Sequence, residues 1–368
     1  MTQNSSHFQD ILEQITDFAK SEIYPQREAL ISSSNYPTEI WQKMGQQGLL
    51  GISLSKSAKG AGLSFSEIAK ISHTLNAFGA VPGLTMSFMT HWMFTKLHLE
   101  GNLPQELKTD FIPRIQTGEI TTSVAISEPR VGAHPKHLQT RAELSDGQFV
   151  INGEKTFLTN GPIATHYLIL AITGLKAGQK QYSAILTPAN ADGLTKTDGM
   201  KLDFLHPCPH GGIVLNDVKV PKGSLLGEEG DGYRQFSLST RHVEDALGAA
   251  AMQGSLRALL TEIAKLLPEE KNADIGAAAA RIEGLEPLAN QLAMAADTQE
   301  ANLGDMYLGY RTLSADLLES LHKLMADYEE LLPRHTKLLA RDIGKIQGIA
   351  KSVQIARLAQ KGAMFRET

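Results

Sequence analysis

Apolar residues recur along this chain with two different periods, and the period changes twice. In the first segment they fall at Phe8, Ile11, Leu12, Ile15, Phe18 and Ala19, the spacing of a helix with one buried face. Pro25 interrupts that element. Pro37 then sits at a helix start, and Ile40, Trp41, Met44 and Leu49 follow, with Gly48 and Gly51 ending it. Beyond a glycine-rich loop at 59–62, helical spacing predicts segments over about 65–78 and 87–99. Another follows Pro104 and leads into Phe111-Ile-Pro-Arg-Ile115.

From Glu119 to about Lys222 the pattern shortens to β-rich runs separated by Gly, Asp and Asn. The runs are 124–127, 149–151, 167–173, 182–187 and 213–220, the last ending at Pro221. Asp146-Gly147 and Asn152-Gly153 read as tight turns. After Gly230-Asp-Gly232 the helical period returns and holds, with breaks near Pro268, Gly304 and Pro333 that give four helices. Leu313, Leu317, Leu321, Leu324 and Tyr328 recur at bundle spacing. The predicted fold is therefore α+β and multi-domain. A helical domain covers 1–118, a small β-barrel or sandwich 119–230, and a four-helix bundle 231–368.

Composition narrows the function classes. With 368 residues and 42% hydrophobic content, two or three domains can each bury a core. A net charge of −5 argues against nucleic acid or an anionic membrane as the main partner. One cysteine, Cys208, excludes an intramolecular disulfide, and the start of the chain lacks a basic, then apolar, secretory pattern. No apolar run approaches the length of a membrane span, so the expectation is a cytoplasmic protein. His206-Pro-Cys208-Pro-His210 offers metal-ligand side chains, but its prolines oppose a regular strand and no second cysteine exists, so no metal is expected.

The most informative stretch runs from Gly118 to Gly161. It contains Ser127-Glu128-Pro129, a polar loop, and then Phe157-Leu158-Thr159-Asn160. These resemble the Thr-Glu-Pro loop and Trp-Ile-Thr-Asn segment of the acyl-CoA dehydrogenases, flavoenzymes that desaturate acyl thioesters. Four further stretches agree with that family in order and spacing: Gly48-Leu-Leu-Gly-Ile-Ser53, Leu107 to Glu119, Asp217-Val-Lys-Val-Pro221 and Gly227-Glu-Glu-Gly-Asp-Gly-Tyr233. The resemblance covers residues ~40 to ~255 and implies the same order of helical, β and bundle domains. It also implies FAD, bound by Ile126, Ser127, Gly132, Ala133, Phe157, Leu158 and Thr159, with Phe157 in place of the tryptophan that packs on the flavin. Its implied partners are acyl-CoA or a related acyl thioester, an electron-transfer flavoprotein, and further copies of the chain in a homodimer or homotetramer. Read without the family, Ser127, Phe157 and Thr159 are ordinary sheet residues.

Several positions depart from the family pattern. The loop after Pro129 reads Arg130-Val-Gly132-Ala133-His134-Pro135, so one glycine survives, an alanine replaces a serine, and a proline stiffens it. Where the family carries an Arg-x-x-Phe-Gly motif for flavin phosphates, this chain has Lys265-Leu-Leu-Pro-Glu-Glu270. The family's catalytic carboxylate is missing both near the final residues and at Thr240, just before Arg241. Thr240 and Arg241 remain as implied substrate-binding residues. Glu244 lies one helical turn after Thr240 on the same face, where the family has an apolar residue and lines its acyl pocket. A carboxylate among Ala and Leu side chains there is partly desolvated and serves as the expected base. Its alternative is a solvated carboxylate, or one paired with Arg241 or His242. Two functions follow: FAD-dependent α,β-desaturation of an acyl thioester, or a catalytically degenerate binding or scaffold subunit.

Overall fold

A helix needs its first N–H groups satisfied, and one long helix of the first domain obtains this from two directions. It is α4 (Phe65–Gly79), preceded by α1 (Gln3–Phe18), α2 (Arg27–Ser32) and α3 (Thr38–Gln46). Ser64 and Glu67 form a reciprocal capping box at its start. Asp297, from a helix more than two hundred residues later, accepts from the Phe65 and Ser66 N–H groups at 2.6 and 3.1 Å. α5 (Pro82–Phe94), which continues through a wider turn to Leu99, and α6 (Gln105–Gln116) complete the domain. The computed structural model describes residues 3–199, 202–298 and 303–367.

The middle region holds β1 (Thr122–Ala125), β2 (Arg141–Ser145), β3 (Gln148–Thr159), β4 (His166–Lys176), β5 (Gln179–Pro188), β6 (Leu194–Thr197), β7 (His210–Pro221) and β8 (Leu225–Leu226). Hydrogen bonds run β6-β7-β3-β2-β4-β5-β8, and β1 pairs in parallel with β4. Phe149 and Ile151 of β3, Tyr167 and Ile169 of β4, Ile185 of β5 and Ile213 and Val218 of β7 share one core. Strands from both halves of the ladder thus face each other, as a small barrel or sandwich requires. Asp146-Gly147 is the predicted tight turn, with both residues at positive φ between Ser145 and Gln148. Asn152-Gly153 is not a turn, contrary to the sequence expectation. It is an irregularity inside β3, where Gly153 lies so close to Thr140 that a Cβ would meet its Oγ1 at 2.5 Å.

The last region holds α7 (Ser239–Ala264), α8 (Asn272–Thr298), α9 (Leu303–Ala326), α10 (Arg334–Gly348) and α11 (Lys351–Glu367). Four helices were expected, and the final one divides at Ile349 and Ala350, where Ala350 takes a positive φ. The break expected near Gly304 falls beside residues 299–302, outside the described residues. Of the residues at bundle spacing, Leu317 and Leu321 are buried in the core of the bundle together with Leu285 and Leu292 of α8, while Leu313 is exposed. That core is shared: Ile68, Leu75 and Trp92 of the first domain pack in the same cluster as Leu256, Leu292 and Leu321. No helix among the described residues is long and apolar enough to cross a membrane.

Candidate active site

Residues 149, 151 and 155 of β3 are buried, so the strand's alternation carries Lys155 into the interior. A buried lysine needs partners. Its Nζ donates to the Ile126 carbonyl and to Glu128 Oε1, each at 3.0 Å. Glu128 is also buried and accepts from the Gln139 and Thr140 N–H groups at 2.7 and 2.9 Å. Burial pushes the Lys155 ammonium down to about 8, only partly offset by the Glu128 charge. Burial acts upward on Glu128, but the Lys155 charge and the Thr140 and Gln139 hydrogen bonds outweigh it, holding the carboxyl below its ordinary range. A backbone bond from Thr156 N to the Ser127 carbonyl at 2.9 Å completes the clamp. Two stretches thirty residues apart in the chain are thereby fixed edge to edge.

Two residues after Lys155 the strand bulges. Lys155 pairs with Ile213 and Leu158 with Gly211, so β3 spends one residue more than β7 over that interval. Phe157 sits there at φ 58°, an unusual conformation for a bulky side chain, and its ring is 40% exposed. Leu158 turns its side chain into the barrel core. Thr159 is half-buried, with its Oγ1 3.3 Å from His210 Nε2. Asn160 then takes a positive φ and ties the strand to the first domain. Its Nδ2 donates to the Ser87 carbonyl at 3.0 Å, and the Ser87 hydroxyl donates to its Oδ1 at 2.6 Å.

The bonds of Lys155 and Thr156 to Ile126 and Ser127 bring the two sequence-predicted cofactor stretches side by side. Ile126, Ser127 and Gly132 are half-buried, Ala133 is exposed, and Gly132 at φ 59° closes the loop through paired backbone bonds with Glu128. Leu158 can offer only its backbone. The two stretches present two hydroxyls, at Ser127 and Thr159, beside an aromatic face held out by a bulge. This arrangement fits a flat, apolar, hydrogen-bonding ring system such as a flavin. Lys265 to Glu270 form the turn after α7, where Lys265 Nζ contacts the Tyr24 hydroxyl at 3.3 Å, so no guanidinium is offered from that segment.

On α7 the three remaining candidates part ways. The Thr240 hydroxyl donates to the Phe236 carbonyl at 2.5 Å and lies 2.6 Å from Nε2 of the buried His98. Burial pushes the His98 imidazole down to about 3, so the ring is neutral, and its Nδ1 has no partner. Thr240 is thus committed to the interior, whereas Arg241 and Glu244 are exposed. Although solvent reaches Glu244, the protein around it desolvates the carboxyl and, with the Asp245 charge, pushes it up to about 7 against the opposing Arg241. Sequence reasoning missed Lys155 and His98. Lys155 was legible, because the alternation that buries Phe149 and Ile151 also buries it. His98 was not, since its partner lies 142 residues away.

Residues 5–119 match the family model described as acyl-CoA dehydrogenase, N-terminal domain, and 123–218 match acyl-CoA dehydrogenase, middle domain. Among curated proteins, an acyl-CoA dehydrogenase of Bacillus subtilis is 30% identical over 60% of this chain and 57% of its own. An L-prolyl-[peptidyl-carrier protein] dehydrogenase of Pseudomonas fluorescens is 30% identical over 62% of this chain and 60% of its own. The chain thus spans about six-tenths of the length of these relatives. Over whole chains the fold matches the butyryl-CoA dehydrogenase of Megasphaera elsdenii with TM-score 0.82 and 20% identity, covering 99% of each chain. An acyl-CoA dehydrogenase from Geobacillus kaustophilus gives TM-score 0.82 at 19% identity, covering 96% of this chain and 97% of that one.

Proposed function

Since the chain belongs to the acyl-CoA dehydrogenase family, we propose that it is an FAD-dependent dehydrogenase that removes two hydrogens from the α,β bond of an acyl thioester. The observation that carries this reading is the joining of the Ser127 loop to the Phe157–Thr159 end of β3 through the buried Lys155–Glu128 pair and the Thr156–Ser127 backbone bond. Ser127, Thr159 and the backbone around Gly132 and Leu158 would hold the flavin, and Phe157 would cover part of its ring. The chemistry FAD supplies when bound is acceptance of a hydride from the β-carbon. Glu244 takes the α-proton onto a carboxylate oxygen, a task suited to a group poised near 7. Arg241, three residues earlier on the same face, favours the ionised carboxylate and contacts the substrate. Thr240, expected as a substrate-binding residue, packs the first turn of α7 against His98. Relatives named for coenzyme A thioesters and for a peptidyl-carrier substrate point to a thioester carried on a pantetheine arm. An electron-transfer flavoprotein is the natural oxidant for a reduced flavin at such a site. The relatives that the chain matches carry the names of dehydrogenases and reductases, so the scaffold reading gains no support from them.

The test begins with the absorbance spectrum of the purified protein and titration of the apoprotein with FAD. Stoichiometric binding is expected, followed by bleaching of the flavin on anaerobic addition of a thioester. Glu244→Gln should still bind FAD and thioester but reduce the flavin at least a hundredfold more slowly. Failure to bind FAD would defeat the proposal, and unchanged reduction by Glu244→Gln would remove Glu244 from it.

A further inference from the structure

Beside Glu244, three helices bring guanidinium groups to one small recess of about 60 Å³. Arg241 comes from α7, Arg311 from α9 and Arg357 from α11, with Leu308 and Val353 as apolar wall. Arg311 is fixed in place, since its Nη2 donates to the Gln347 and Ile349 carbonyls at 2.6 and 2.9 Å. One carboxylate, Asp245, shares the recess, and its hydrogen bond comes from the Tyr307 hydroxyl. Arg241 and Arg357 make no hydrogen bond and no ion pair among the described residues. Among its lining residues three cations thus face one anion, and an ionised Glu244 beside it still leaves one positive charge in excess against an apolar wall. Guanidinium groups arranged in this way bind compact oxyanions.

The proximity of the base narrows the choice of anion. Arg241 and Glu244 are neighbours on α7, with Cβ atoms roughly 5–6 Å apart, and the Glu244 charge is felt at Tyr307, which lines the recess. The α-carbon of a substrate must lie about 3 Å from the base. A phosphate on a pantetheine arm is some fourteen bonds of about 1.5 Å from the thioester sulfur and overshoots this distance when extended. A carboxylate at the far end of an acyl chain of about five carbons fits it.

Resting on the dehydrogenase reading above, we propose that the recess is an oxyanion subsite and that the substrate is the thioester of a short dicarboxylic acid. Its terminal carboxylate docks among Arg241, Arg311 and Arg357 while its α-carbon faces Glu244. The size of the recess admits one carboxylate or phosphate group and no nucleotide.

Calorimetry on the full chain, as purified, tests this with two matched probes, glutaryl and pentanoyl N-acetylcysteamine thioesters. Neither carries a phosphate. The wild-type protein should bind the glutaryl probe at least tenfold more tightly, and Arg357→Gln and Arg241→Gln should each shrink that ratio at least fivefold. A wild-type ratio near one, or a ratio that survives both substitutions, overturns the proposal. Free glutarate and inorganic phosphate provide an independent arm. Glutarate binding that both substitutions weaken, with neither thioester bound, keeps the carboxylate subsite and defeats the thioester reading instead. Phosphate binding without glutarate binding overturns the carboxylate assignment in favour of a carrier phosphate.

Discussion

At the scale of single residues, the candidate site depends on charges whose surroundings decide their state. Lys155 and Glu128 are both buried, and the lysine's lowered value means that its partner does not fully offset the loss of water. Removing one member leaves the other unpaired in the barrel, so Lys155→Met should cost about 3–5 kcal/mol in urea unfolding. A loss under about 1 kcal/mol would show that the clamp is not what fixes the Ser127 loop. The pH dependence follows from the sign of the Glu128 shift. Its folded value lies below the unfolded one, so its stabilisation is complete above the ordinary carboxylate range and is lost as pH falls through the folded value. Glu244 has the opposite shift and a different consequence. Only its ionised form accepts a proton, so flavin reduction should rise with pH through about 7 and then level off. Rapid mixing under anaerobic conditions measures this, and a rate flat from about pH 5 to 9 would exclude Glu244 as the base.

At the scale of elements, periodicity made the helices and strands legible, while the site's geometry arose from exceptions to periodicity. The helical spacing of Phe8 to Ala19 predicted α1, and the run 149–151 predicted the first part of β3, which continues past the expected turn to Thr159. The bulge that exposes Phe157 has no period of its own, and the Asn152-Gly153 irregularity carried the signature of a turn. Long-range bonds, such as Asn76 Nδ2 to the Ala251 carbonyl at 2.8 Å, left no local trace. The same limit hides the close approach of α4 to α7. A Cβ on Gly254 would sit 2.2 Å from the His73 carbonyl oxygen, which is backbone and cannot swing away. Gly254→Ala would gain about 1 kcal/mol of helix propensity at an exposed site. Here overpacking of about 1–3 kcal/mol and a forced separation of the helices win. Thermal unfolding should show a net loss of stability, and an increase would mean that α7 can slide. At the bulge, Phe157→Leu keeps the backbone strain and loses the aromatic face. It should leave unfolding within about 0.5 kcal/mol of wild type and weaken FAD binding about tenfold, equivalent to about 1.4 kcal/mol.

At the scale of the whole molecule, the described residues form four buried clusters, and one helix has little to pack against. The first domain and the bundle share the largest, the barrel has its own, and α6 packs on β4 and β5 in a third. α11 contributes to none of them. It has 17 residues, and Val353, Ile355 and Leu358 are 46%, 56% and 39% exposed, with Met364 at 62%. These residues lie on more than one face of the helix, a pattern typical of buried helices. A single helix of this length is marginal in water on its own, and the exposed Lys361–Asp305 pair at 3.1 Å adds at most about 1 kcal/mol. A second copy of the chain packed on this helix would cover its exposed apolar residues. Light scattering at micromolar concentration should therefore report at least a homodimer. Ile355→Glu together with Leu358→Glu should shift it toward monomer without unfolding the barrel, because neither residue belongs to any of these clusters. A wild-type monomer would contradict this account, as would a dimer indifferent to both charges, which would place the contact on another face.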